Sequence, residues 1–115
     1  MLKAENRLST TFEFNVARKY GNYFNFPLFH AYTLIAKNYT GPARIGIVIS
    51  NKFHKNAVVR NRVKRLFRES LQKKVDTIKS GLWIVFHPKL SATNQTYEKI
   101  DLEITRFLQK ASVIK

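Results

Sequence analysis

From Asn56 to Asp76 the chain repeats on a helical period, and the repeat sorts its side chains by charge. At about 100° per residue, Val59, Val63, Leu66 and Phe67 share one side of a helix, while Asn61, Lys64, Arg65 and Arg68 share the other. The apolar side can dock on a core. The polar side is unusual in its sign. Nine Lys/Arg between Lys52 and Lys74 meet a single acid, Glu69. A solvated helix face usually mixes signs, because Glu/Lys pairs stabilise helices and like charges repel. A cationic flank left uncompensated offers guanidinium and ammonium groups to a row of phosphates.

The charge of the whole chain agrees. Among 115 residues, 21 Lys/Arg stand against 7 Asp/Glu, a net charge of +14. Three of the acids, Glu98, Asp101 and Glu103, sit together near the end. The field over the rest of the molecule is therefore strongly positive and draws in polyanions in a salt-dependent way. Hydrophobic content of 44% and 13% aromatic residues indicate a folded globule and not a basic disordered tail. The length suits one domain, residues 1–115. With no cysteine, disulfides and thiolate metal sites are excluded. No apolar run reaches the ~18–20 residues needed to span a bilayer, and Met1 to Arg7 lacks the apolar segment of a secretory signal. The expectation is a cytoplasmic protein with no membrane partner.

The remaining elements follow from local signals. Thr10 and Glu13 have capping-box spacing, so a helix is expected from about Thr10 to Tyr20, ended by Gly21. Asn22 to Pro27 reads as an aromatic-rich loop, and Leu28 to Ala36 as a strand followed by a turn at 37–42. Arg44 to Ser50 is a nearly continuous apolar run, as expected of a central strand covered on both faces. A basic loop over 51–55 leads to the helix capped by Asn56. Ser80-Gly81 precedes a buried strand over Leu82 to Phe86, closed by His87-Pro88. Ile100, Ile104, Phe107, Leu108 and Ala111 then mark an amphipathic helix with acids in its first turns. The expected class is α+β: two layers, a single mixed sheet of about four strands and three helices, in the order α-β-β(-β)-α-β-α. The general rule makes the strand–helix–strand crossover from Arg44 to Phe86 right-handed.

The segment from Asn56 to Glu69, with Ala57 followed by Arg60-Asn61-Arg62, Val63, Lys64-Arg65 and Arg68, resembles the signature of the bacterial ribonuclease P protein subunit. The order of elements and the total length agree, so the resemblance covers nearly the whole chain. It implies an RNA-binding subunit of the ribonucleoprotein that removes the 5′ leader from precursor tRNA, with no other protein partner required. It also implies a left-handed crossover, against the general rule. The implied partners are the catalytic RNA subunit and precursor tRNA. Catalysis would rest on Mg²⁺ at the RNA active site, with no catalytic residue, metal site or cofactor in the polypeptide.

Carried over by position, Arg60, Asn61, Arg62, Lys64, Arg65 and Arg68 correspond to the helix that meets the catalytic RNA. Phe14, Phe29 and Tyr32 correspond to the cleft that holds the single-stranded leader, where bases stack on rings and cations track the backbone. Lys52, Lys55 and Lys89 flank it. Two positions depart from the family pattern. Arg18 stands four residues after Phe14, where a second aromatic is usual, and its guanidinium plane can also stack on a base. His54-Lys55 stands where a glycine is common. Aromatics are most often core, so Phe29 leans that way.

Three rivals remain open on the residues. A self-sufficient nuclease needs clustered carboxylates, and the seven acids are scattered over separate elements. His30, His54 and His87 are far apart and lack ligand partners at metal spacing. A duplex-DNA reader would place its contacts at a helix tip, whereas these cations run along a flank. The alternative function is a general RNA-binding or ribosomal-type module.

Overall fold

The computed structural model describes residues 2–8, 10–37, 39–50 and 52–115. Asn38 of the expected turn and Asn51 of the expected basic loop lie outside them. Three helices and a four-stranded sheet carry the chain: α1 (Thr11–Tyr20), β1 (Asn22–Asn25), β2 (Phe29–Ile35), β3 (Arg44–Ile47), α2 (Ala57–Lys74), β4 (Leu82–Pro88) and α3 (Tyr97–Lys110). The strand order is β1-β2-β4-β3. β1 pairs with β2 and β2 with β4 antiparallel, while β3 and β4 run parallel on either side of the α2 crossover. The sheet is therefore mixed, as expected.

Two strand expectations are corrected. Asn22–Asn25 is a strand and not a loop, because it pairs along its whole length with His30–Thr33. β3 is an edge strand, and β4 is central. Its apolar run has another cause: Arg7 bridges to Ile45, the Leu8 N–H donates to the Ile45 carbonyl at 3.1 Å, and helices cover both faces. The N-terminal segment thus blunts an edge that would otherwise be open.

Alternation along the strands splits the interior. Phe29 and Ala31 of β2, Ile45 of β3 and Ile84 and Phe86 of β4 face α2 and α3. There they meet Val63, Phe67, Leu71, Ile100, Ile104, Phe107 and Leu108 in one buried core. Ser70 donates to Asp101 at 2.7 Å and Lys74 pairs with the same carboxylate, which fastens α2 to α3. Val85 points the other way and is covered by Ala17 of α1 and Leu8, with Phe14, Val48 and Trp83 around them. The expected two layers thus describe the sheet with α2 and α3, and α1 adds partial cover to the opposite face.

Candidate nucleic-acid interface

α2 begins where Asn56 caps it, its side chain accepting from the Val58 N–H at 2.9 Å. Val63 and Phe67 are fully buried, while Val59 and Leu66 are half-buried. On the other flank Asn61 and Arg65 are exposed, and Lys64 and Arg68 are half-buried. Partial burial, and then the neighbouring Arg68 charge, lower the Lys64 pKa. Both effects disfavour the charged ammonium, burial more than the like charge. Among the described residues the ion pairs are Arg44–Glu13 and Lys74–Asp101, and neither involves this flank.

A cleft of about 460 Å³ opens between α1, β3 and α2. Its lining includes Phe14 and Arg18 of α1, Gly46 of β3 and Lys64 and Arg68 of α2. The Thr10–Glu13 capping box sets the start of α1, and Glu13 also takes a 3.0 Å ion pair from Arg44 on β3. Phe14 lies directly over Gly46, where an added Cβ would stand 2.6 Å from the ring Cζ. Only glycine lets the ring approach the strand so closely.

Beyond α1 the same face of the sheet carries four rings. Tyr23 on β1 lies opposite Tyr32 on β2, and His30 on β2 opposite His87 on β4. Burial first, then the charges of His30 and Arg18, push the His87 pKa down to about 4. The Lys89 ammonium donates to the Asn25 side chain at the far end. Among the described residues no group of three or more His, Asp or Glu gathers to hold a metal ion, and no helix is long and apolar enough to cross a membrane.

Comparison with known proteins agrees with this geometry. The Ribonuclease P family model matches residues 2–112. The chain belongs to the ribonuclease P protein family. It is 30% identical to the ribonuclease P protein component of Clostridium novyi over 97% of this chain and 98% of that protein. It is 33% identical to the Clostridium botulinum (strain Okra) protein over 95% and 96%. The Staphylococcus aureus RNase P protein structure superposes with a TM-score of 0.84 at 27% identity, covering 96% of this chain and 98% of that one. The Thermotoga maritima RNase P protein shares the fold, with a TM-score of 0.77 at 23% identity over 90% and 96%.

Within this chain the expected residues divide. Asn61, Lys64, Arg65 and Arg68 form one outward flank, and Lys64 and Arg68 share a cleft with Phe14 and Arg18. Arg60 and Arg62 are turned elsewhere. The Arg62 guanidinium donates to the Thr93 and Gln95 carbonyls at 3.0 Å each, and Arg60 donates to the His54 carbonyl. Both therefore clamp loops against α2. Phe29, expected in the leader cleft, is corrected: it is fully buried on the α2 side, ringed by Phe26, Phe67, Phe86 and Phe107. Tyr32 is half-buried on the α1 side. Lys52 and Lys55 are exposed in the loop before α2 and do not line the cleft. Tyr23, His30 and His87 stand beside Tyr32 through the strand pairing. Period-two spacing from Tyr32 reaches His30, but Tyr23 and His87 appear only once the strand pairing is known.

Proposed function

We propose that this chain is the protein subunit of a cytoplasmic ribonuclease P ribonucleoprotein that removes the 5′ leader from precursor tRNA. Family membership supports the coarser part of that reading, a role beside RNA in tRNA processing. In the finer part, Asn61, Lys64, Arg65 and Arg68 lie on the catalytic RNA, and Phe14, Arg18 and Tyr32, flanked by Lys89, hold the single-stranded leader. One observation carries this: the uncompensated cations of α2 and the aromatic residue of α1 line one cleft. A strand bound there is stacked on a ring and screened by fixed charges while its neighbour RNA rests on the same helix. Mg²⁺ held by the RNA subunit supplies the hydrolytic chemistry, and the residues of this chain bind and orient.

The test is to add the purified chain to a bacterial ribonuclease P RNA at low magnesium and follow cleavage of precursor tRNA. Strong stimulation is expected, because the protein's cations replace part of the screening that magnesium provides. No stimulation, or leader removal by the chain alone in Mg²⁺, overturns the reading.

A further inference from the structure

We propose that Glu13 and Arg44 are positioning residues for the RNA cleft: their ion pair sets how α1 stands over β3, and so how strongly a strand is held, without touching it. The proposal rests on the reading of function above and deepens it, by assigning the width of that site to a contact outside its lining.

Packing alone holds α1 weakly. Of its ten residues only Glu13 and Ala17 are buried, and the small cluster beneath the helix joins Ala17 to Leu8 and Val85. A helix of that length is marginal in water without tertiary support. Phe14 and Arg18, which line the cleft, are carried by this helix and are themselves half-buried. What fixes their place must therefore include polar contacts.

Glu13 supplies such contacts through both carboxylate oxygens. Oε1 accepts from the Thr10 N–H and hydroxyl at 3.1 Å each, which closes the helix start. Oε2 accepts from Arg44 Nη1 at 3.0 Å, which ties that start to β3. Arg44 is itself held in place: its guanidinium lies 4.7 Å from the Tyr39 ring centroid, and Tyr39 meets Trp83 at 6.3 Å. Arg44 Nε is buried without a hydrogen-bond partner among the described residues, so losing the carboxylate would leave a partly buried cation poorly satisfied. Arg44 and Gly46 share one side of β3 by strand alternation, and Glu13 and Phe14 are consecutive on α1. The ion pair therefore sits one step from the place where Phe14 lies on Gly46, and it fixes that contact. Neither Glu13 nor Arg44 belongs to the lining of the cleft.

The experiment uses the holoenzyme assembled on a bacterial ribonuclease P RNA, below the melting temperature of every variant, and reads the ratio of Kd values for mature and precursor tRNA. Glu13→Gln keeps the capping box, because Gln also serves at that position, but loses the charge that meets Arg44. It is expected to shrink the ratio by about fivefold, and Arg44→Gln to do the same. The double variant loses no more than either single one, the sign of one shared contact. The signs of the charge changes separate positioning from a field effect. Glu13→Gln raises the net charge of +14 and Arg44→Gln lowers it, so long-range attraction would move the two variants in opposite directions. Thr10→Ala separates positioning from helix stability: it removes the cap and lowers the melting temperature, but leaves Glu13 on Arg44 and keeps the ratio. Equal losses in Thr10→Ala and Glu13→Gln, opposite shifts in the two Gln variants, or ratios equal to wild type each overturn the positioning role while leaving the cleft reading intact. A wild-type holoenzyme with no preference for precursor overturns both.

Discussion

The two faces of the sheet hold aromatic clusters of nearly the same geometry and opposite character. On the α2 and α3 side, Phe29, Phe67, Phe86 and Phe107 approach at centroid distances of 5.2–6.3 Å, and all four are fully buried. On the α1 side, Tyr23, His30, Tyr32 and His87 approach at 4.7–6.0 Å and remain partly open to solvent. Ring spacing therefore does not separate core from site. Heteroatoms and cover do: phenylalanine fills the face closed by two helices, and tyrosine and histidine occupy the face that one short helix leaves open. Rings that carry polar atoms lose less by staying at water and can still offer a π-face to a ligand.

Truncation should break this symmetry most sharply. Phe107→Ala removes a fully buried ring and is expected to cost about 3–5 kcal/mol, read as a large fall in melting temperature. Tyr23→Ala should stay within roughly 0.5 kcal/mol of wild type, as exposed positions usually do. An unchanged melting temperature for Phe107→Ala would sink the division between the faces. The next effect belongs to the open face. Tyr32→Ala is expected to reduce the preference for leader-bearing precursor over mature tRNA by about 1–3 kcal/mol, with RNA-subunit assembly intact. Equal weakening for both RNAs points instead to damaged folding.

Acid should distinguish the faces as well. His87 has an ordinary pKa of 6.5 when unfolded and about 4 in the folded protein, owing to burial and to the charges of His30 and Arg18. Between those values the unfolded chain binds more protons, so this contribution is fully present above pH 6.5 and is lost as pH falls towards 4. His30 shifts in the same direction. Because both rings are partly solvated, the loss is expected at about 1–2 kcal/mol. Denaturant titrations of a His30→Phe/His87→Phe variant should be nearly flat across that window. A slope equal to the wild type's would show that other groups carry it.

Much of this division was legible from residues alone, and the parts that were not have a common cause. The capping box of α1, the stripe of α2 and the repeat of α3 are short-range periodic signals, and each element formed close to its expected bounds. Asn-Tyr-Phe-Asn has no apolar alternation to mark it as a strand, and its pairing to β2 supplies the structure. β3 looked central because Ile45, Ile47 and Ile49 serve the main core while Val48 serves the α1 side. Cover by helices and by Arg7–Leu8 produces the same apolar run as cover by flanking strands. Phe29 and Tyr32 differ by an odd number of positions in one strand, so they had to face opposite ways. The resemblance grouped them, and the pleat separates them.

The same separation runs through α2 and makes the smallest prediction. Arg62 and Arg65 are three residues apart, yet Arg62 spends its guanidinium on the Thr93 and Gln95 carbonyls while Arg65 is exposed. Nothing near Arg62 in sequence reveals this, because its acceptors lie more than thirty residues later. Arg65→Ala is expected to lower the salt slope of RNA-subunit binding by about one unit, roughly a threefold loss of affinity that shifts with salt, with melting temperature unchanged. Arg62→Ala should do the reverse: melting temperature falls because two loop carbonyls lose charged donors, and the salt slope barely moves. Swapped outcomes would mean that the clamp faces the RNA and the open flank of α2 faces only water.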